Sequence, residues 1–418
     1  MSDAAPTQPS AAASGGIRRR EYPTRIAWGE SLLAYDFGPH HPMHPSRLDL
    51  TARLCEELGL FALPGVAVVE PHVASDDELA AVHTRDYIAA VRSVSEDPSS
   101  PLPERGLGTD DDPVFAGMHG ASARIAGGSL EAADAILDGQ AQHAVNFAGG
   151  MHHAAADHAS GFCIYNDAAL AIQRLLDGGF ARVAYIDVDV HHGDGTQAAF
   201  WNDPRVLTIS LHESGLTLFP GTGFPDEIGG PDALGSAVNV ALPARTGDAG
   251  WLRAFHAIVP PLIEAFRPDA IVSQHGCDSH SLDPLADLRT SVDAQREVAL
   301  AISGLAARFC SDRWLATGGG GYSVLHVVPR VWAHLVGIVT GHPIPLQTQI
   351  PAAWQDFAAR KYPALVEGHA IPAQMGEDAD TWWRSWDVGF NPNDPVDRAI
   401  MATRKEVFPV HGLDPWFD

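Results

Sequence analysis

Asp187, Asp189 and His191 alternate with Ile186, Val188 and Val190 in the segment Ala184-Tyr-Ile-Asp-Val-Asp-Val-His-His-Gly-Asp-Gly195. Alternate side chains of a strand share a face, so this spacing predicts two carboxylates and an imidazole on one side of a sheet. Within an apolar run such groups must be paired, hydrogen-bonded or metal-bound. A solvated strand end is the ordinary alternative, and the apolar flanks argue against it. Asp278, in Ser273-Gln-His-Gly-Cys-Asp-Ser-His280, follows a second apolar run, Ala270–Val272. Asp189, His191 and Asp278 together offer two oxygens and one nitrogen. Three protein ligands with an open fourth position form a catalytic zinc site, and iron(II) accepts the same ligand types.

His152 and His153 follow Gly149-Gly150-Met151. Adjacent imidazoles that are not needed as ligands are candidates for general acid and base, because histidine titrates near neutrality. Each needs an orienting partner, and Asp187 and Asp194 are the carboxylates left over in the cluster. In Gly318-Gly-Gly-Gly321-Tyr322, glycines allow the backbone to approach a ligand closely. The Lys-Ser/Thr of a phosphate-binding loop is missing. Tyr322 is placed to donate its hydroxyl to a developing oxyanion.

These residues need a scaffold that delivers them to one edge. Strand-like runs at Ala144–Ala148, Val183–Val190, Val206–Leu211, Ala237–Leu242, Ala270–Ser273 and Trp314–Thr317 alternate with helical stretches such as Asp167–Leu176, Gly250–Phe266 and Val292–Phe309. That alternation predicts a parallel sheet covered on both faces. Five runs end in polar or glycine-rich clusters, and in open α/β sheets ligands bind beyond the carboxyl ends of the strands. Residues 1–20 read as a flexible tail, 21–345 as the catalytic domain, and 346–418 as a C-terminal extension packed on it.

Of the 418 residues, 27 are Lys or Arg and 52 are Asp or Glu, a net charge of −25. Phosphate binding needs a basic footprint, so a nucleic-acid partner is not expected; an acidic field favours cationic partners. The four cysteines are widely spaced, which suggests neither a disulfide framework nor a thiolate zinc cage. No apolar run reads as membrane-spanning, and the N-terminus lacks the apolar core of a signal peptide. A cytoplasmic protein with no membrane partner is therefore the expectation.

Taken together, HPMHPSRLDLT (41–51), GMHHA (150–154), SGFCIYND (160–167), IDVDVHHGDGTQ (186–197), SLHESG (210–215), FPGTG (219–223), HGCDSH (275–280) and GGGGY (318–322) resemble the zinc-dependent histone deacetylases and their bacterial relatives. GTDDDPVFAGMH (108–119) and the C-terminal extension resemble the acetoin-utilisation branch. The resemblance implies a three-layer arginase/deacetylase-like fold with a central parallel sheet of about eight strands. It implies zinc on Asp189, His191 and Asp278, with His152 paired to Asp187 and His153 to Asp194. His153 would be the principal base and acid, His152 its electrostatic partner, and Tyr322 the transition-state donor. Asp111, or Asp110 in a one-residue shift, falls where the family grips the substrate backbone. Gly161, Phe162, Phe219 and Leu285 correspond to the acyl-lysine tunnel, and Arg47 to an internal acetate cavity. Asp187, Asp189, His191, Ser210 and Leu211 correspond to a structural potassium site. His280 and Met151 depart from the common pattern and bear on substrate choice.

The expected reaction is hydrolysis of an N-acyl amide, on an acyl-lysine protein or on a small acetylated amine such as a polyamine. A binuclear manganese ureohydrolase would need Asp187 and Asp194 as ligands and would leave the histidine pair and the tyrosine idle. A non-catalytic acyl-lysine binding module would not need an intact set of ligands, bases and tyrosine.

Overall fold

The computed structural model describes residues 23–418; the expected tail lies outside them, apart from which the chain is continuous. Eight strands, β1 (Thr24–Ala27), β2 (Val66–Val69), β3 (His143–Asn146), β4 (Val183–Asp187), β5 (Val206–Glu213), β6 (Ala237–Leu242), β7 (Ala270–Gln274) and β8 (Trp314–Thr317), form one sheet in the order β2-β1-β3-β8-β7-β4-β5-β6. Every pairing is parallel.

Successive residues of the central strands serve different cores. Ala184 and Ile186 join the larger cluster, built with the helices Asp248–Phe266, Val292–Phe309 and Val328–Val339. Val183 and Tyr185 join a second cluster, against the helices Met118–Leu137 and Asp167–Asp177. This explains why the strands read as continuous apolar runs rather than alternating ones, and it gives the three-layer arrangement. The helix starts follow local chemistry: Asn166 and Ser291 accept the backbone N–H of Ala169 (2.9 Å) and Ala294 (3.1 Å), as N-caps do.

Six strands were expected; β1 and β2 were not. Both are four residues long, as are β3 and β8, but β1 opens with Thr24-Arg25 and β2 is only partly buried. The run expected to extend through Val190 stops at Asp187. Beyond it, Val188 still donates to the Gln274 carbonyl (3.1 Å) and Val190 still accepts from Glu213 (2.9 Å), while the Asp189, Val190 and His191 amides donate to Asp187 (3.1 Å), Asp278 (3.0 Å) and Asp189 (3.0 Å). Asp189 and His191 therefore stand on a carboxylate-pinned extension of β4, while Val188 and Val190 turn into the core.

Residues 346–418 lie against this core. Trp354 is buried and donates its indole N–H to the Leu50 carbonyl (2.8 Å). The helix Pro395–Val407 packs beside edge strand β6, where Thr403 donates to the Asn239 carbonyl (2.6 Å). Asp397 is buried and paired with Arg253 (2.5 Å), and Trp383 stacks on His256 with ring centroids 4.2 Å apart.

Candidate active site

Loops beyond the carboxyl ends of β3, β4, β7 and β8 meet at the sheet's centre, where β8 lies between β3 and β7. The loop after β3 carries His152 and His153. Its shape depends on Asp167, which accepts the Gly150 and Met151 amides (2.9 and 2.8 Å) and the Ser129 hydroxyl (2.6 Å). His152 Nδ1 lies 2.8 Å from Asp187, and His153 Nδ1 lies 2.7 Å from Asp194. Asp187 also accepts the Tyr185 hydroxyl (2.7 Å).

Asp189, His191 and Asp278 form a group whose ligand atoms all lie within 4.8 Å of one another. Asp189 is 1% and Asp278 0% exposed. His191 Nδ1 sits 3.2 Å from one carboxylate and 3.1 Å from the other. Asp189 further accepts the Gly320 amide (2.7 Å). Among the described residues neither carboxylate has a lysine or arginine partner. Two buried carboxylates with an imidazole between them are costly without a compensating cation, and two oxygens and a nitrogen suit a divalent transition metal. Burial, and then repulsion from Asp189, push the Asp278 carboxyl above its ordinary range. The glycine run makes room for this: a Cβ on Gly320 would run into the Asp278 carboxylate.

The two histidines are poised differently. Burial disfavours charge on both. At His152 the carboxylates of Asp187 and Asp189 outweigh burial and raise the pKa to about 9. At His153 burial and repulsion from His152 outweigh Asp194, and the pKa falls to about 4. The surroundings thus favour charge on His152 and disfavour it on its neighbour, 4.0 Å away between ring centroids.

A cavity of about 210 Å³ opens above them, lined by Asp111, His153, Gly161, Phe162, His191, Leu218, Phe219, Leu285 and Tyr322. All five residues expected to touch substrate are there; Asp110 is not, and Leu218 is an addition. Gly161 takes φ +54°, and a Cβ there would meet the His153 ring. Tyr322 packs edge-on against Phe162 at 5.8 Å. Its backbone N–H is held by Asp283 (2.7 Å), which also accepts the Leu285 amide (3.0 Å).

Arg47 is buried behind the glycine loop. It donates to the carbonyls of Gly321 (2.7 Å) and Gly319 and lies over the Tyr322 and Trp332 rings at 5.3 and 5.0 Å. With Met43, Ile125, Met151 and Trp332 it lines a narrow internal cleft. Ser210 pairs in register with Asp187 across β4 and β5, with Leu211 next along the strand; both are buried. His280, flagged as unusual, is buried and bonded to Glu377 of the extension (3.0 Å).

Asp167, Asp283 and Leu218 escaped the sequence reading. Asp167 and Asp283 act on backbone amides, which no side-chain pattern announces. Asp167 stands inside SGFCIYND, at the start of the helical stretch expected over Asp167–Leu176.

The histone deacetylase domain family matches residues 41–339. The acetoin utilization protein AcuC of Bacillus subtilis (strain 168) is 41% identical over 354 residues, covering 81% of this chain and 91% of the relative. The AcuC proteins of Staphylococcus xylosus and Staphylococcus aureus (strain MSSA476) are each 38% identical, over 345 and 336 residues. These matches cover 81% and 79% of this chain, and 89% and 85% of the relatives. No helix among the described residues is long and apolar enough to cross a membrane. The fold, the ordered motifs and these relatives agree: the chain belongs to the histone deacetylase superfamily, in its bacterial acetoin-utilisation branch, and is a deacetylase-type enzyme.

Proposed function

We propose that this protein is a zinc-dependent deacetylase acting on acetyl-lysine side chains of proteins. The observation that carries the proposal is the narrow cavity with His153 and His191 on its wall and Asp111 lining it alongside two phenylalanines. An extended aliphatic chain ending in an amide fits such walls, and a rim carboxylate suits the backbone N–H groups of a peptide. Asp189, His191 and Asp278 would hold the zinc, and Asp187, Ser210 and Leu211, with Asp189 and His191, would hold a structural potassium ion.

Bound zinc supplies Lewis acidity toward the amide carbonyl and the attacking water. The protein's own groups do the rest. Neutral His153, oriented through Nδ1 by Asp194, takes the water proton on Nε2. Charged His152, held by Asp187, stabilises the negative charge that develops. Tyr322 donates its hydroxyl to the tetrahedral oxyanion. His153, now protonated, returns its proton to the leaving lysine amine. Phe162 and Phe219 exclude water from the aliphatic stem.

The test is acetate release from an acetyl-lysine peptide by zinc-loaded and metal-stripped protein. Zinc-dependent release supports the proposal. One tightly bound zinc without release shifts the substrate to a small acetylated amine or another acyl group. Two metals per chain overturn the single-metal site.

A further inference from the structure

Asp283, His280 and Glu377 are three polar residues that take no part in the mechanism, yet they form one connected path to its oxyanion donor. Asp283 is 8% exposed, and each of its carboxylate oxygens takes one amide. Oδ2 accepts the Tyr322 N–H at 2.7 Å and Oδ1 the Leu285 N–H at 3.0 Å. Tyr322 and Leu285 both line the cavity, so a single carboxylate sets two of its walls. Tyr322 needs such a hold, because the four residues before it are glycines and bring no side chain to anchor the chain.

Asp283 is placed in turn by His280. The Asp283 N–H donates to the His280 carbonyl (2.9 Å), and the Leu282 N–H donates to His280 Nδ1 (3.0 Å). Because Nδ1 accepts, the ring donates through Nε2, which faces the two oxygens of Glu377 at 3.0 and 3.2 Å. The Thr290 backbone holds the other side of this turn through Ser279 (3.0 Å) and Ser281 (3.1 Å). Glu377 belongs to the C-terminal extension and is itself fixed by the core. It accepts Arg330 Nη2 (2.6 Å) and the Val292 N–H (3.2 Å), and its own N–H donates to Asp293 (2.9 Å). Hydrogen bonds thus run without a gap from the extension, through His280 and the turn, to Asp283 and the Tyr322 backbone.

We infer that Asp283 and His280 are positioning residues for the Tyr322 hydroxyl, and that Glu377 makes the C-terminal extension the anchor of that hold. The oxyanion role of Tyr322 rests on the proposed deacetylase reading; the hold on its backbone does not. Misplacing a catalytic group by an ångström can cost about 100-fold in rate, so a loosened Tyr322 lowers kcat before it disturbs anything else. The same loop begins at Asp278, so metal loss is the competing effect to be separated.

The experiment places Asp283→Ala, His280→Asn and Glu377→Gln in the wild type and in Tyr322→Phe, and measures kcat and KM on an acetyl-lysine peptide, bound metal, and hydrogen exchange over residues 318–323. His280→Asn keeps an acceptor for the Leu282 N–H but is too short to reach Glu377. In the wild type, Asp283→Ala should lower kcat about ten-fold, and the other two about three-fold, with bound metal unchanged. In Tyr322→Phe the same changes should cost less than about two-fold, because the hydroxyl they position is gone. All three should speed exchange of the Tyr322 amide. Equal losses in the two backgrounds overturn the inference, as do losses that follow metal content, or unchanged Tyr322 exchange. Should Asp283→Ala fail to fold, Glu377→Gln, which lies outside the cavity, carries the cycle. Absence of wild-type turnover overturns the proposed substrate instead, and exchange at Tyr322 still decides the hold.

Discussion

Tyr322→Phe removes one oxygen from the wall of the cavity and should cost turnover without costing structure. The Tyr322 backbone is held by Asp283, and the ring by Phe162 at 5.8 Å and by the Arg47 guanidinium at 5.3 Å; phenylalanine keeps all three contacts. The hydroxyl has no protein partner among the described residues, so its removal orphans nothing. Burial pushes the phenol well above its ordinary range, so it stays a protonated donor throughout the working pH. An oxyanion-directed donor of this kind is worth about 2.7–4 kcal/mol, or about 10²–10³ in kcat. The assay is kcat on an acetyl-lysine peptide, with metal content and melting temperature measured on the same sample. Turnover like that of the wild type would refute the role of Tyr322, and so would a loss explained entirely by lost metal.

Asp194→Asn should keep the metal but lower kcat about 10–100-fold, because it removes the group that orients His153 through a 2.7 Å hydrogen bond; full activity in steady-state assays would break that pairing. Asp278→Asn should reduce bound metal from one equivalent toward none, as read by elemental analysis. Chelator should then lower the melting temperature of wild type but not of this variant, since an ion that binds only the folded chain stabilises it. At Glu377 burial works against the charge, but His280 and Arg330 outweigh it and hold the carboxyl at about 2. A depressed carboxyl stabilises the fold above its unfolded pKa and loses that contribution as pH falls through the folded value. Glu377→Gln should therefore melt below wild type at neutral pH, with the gap closing from about pH 4.5 toward 2; a constant gap would show that the contact is not ionic.

The parts of the site that announced themselves in the sequence are those whose chemistry lives in side chains. Asp187, Asp189 and His191 stood out because carboxylates inside an apolar run need a reason, and His152-His153 because adjacent imidazoles rarely come without partners. Their alternation was foreseen; the carboxylate-to-amide hydrogen bonds that pin the chain after Asp187 were not. Asp283 was invisible for a related reason: it holds the backbone N–H of Tyr322, far away in sequence, and such a contact leaves no pattern. The strands Thr24–Ala27 and Val66–Val69 went unseen because the first opens with Thr24-Arg25 and the second, at the sheet's edge, is only partly buried. The central strands, buried on both faces, gave apolar runs long enough to read.

The strand order also governs when activity can first exist as the chain is made. β8 lies between β3 and β7, so the chain must travel from residue 146 to residue 314 before the middle of the sheet can close. The histidine pair is synthesised early, the ligands later, and Tyr322 only after β8. Until then β3 and β7 present open, parallel-pairing edges, and parallel sheets built from distant segments close slowly. Edge strand β6 waits longer still, until the helix Pro395–Val407 arrives beside it. Synthesis from the N-terminus thus leaves a window in which exposed strand edges compete between folding and self-association, and coexpressed chaperones should raise the yield of this protein more than changes to its surface charge.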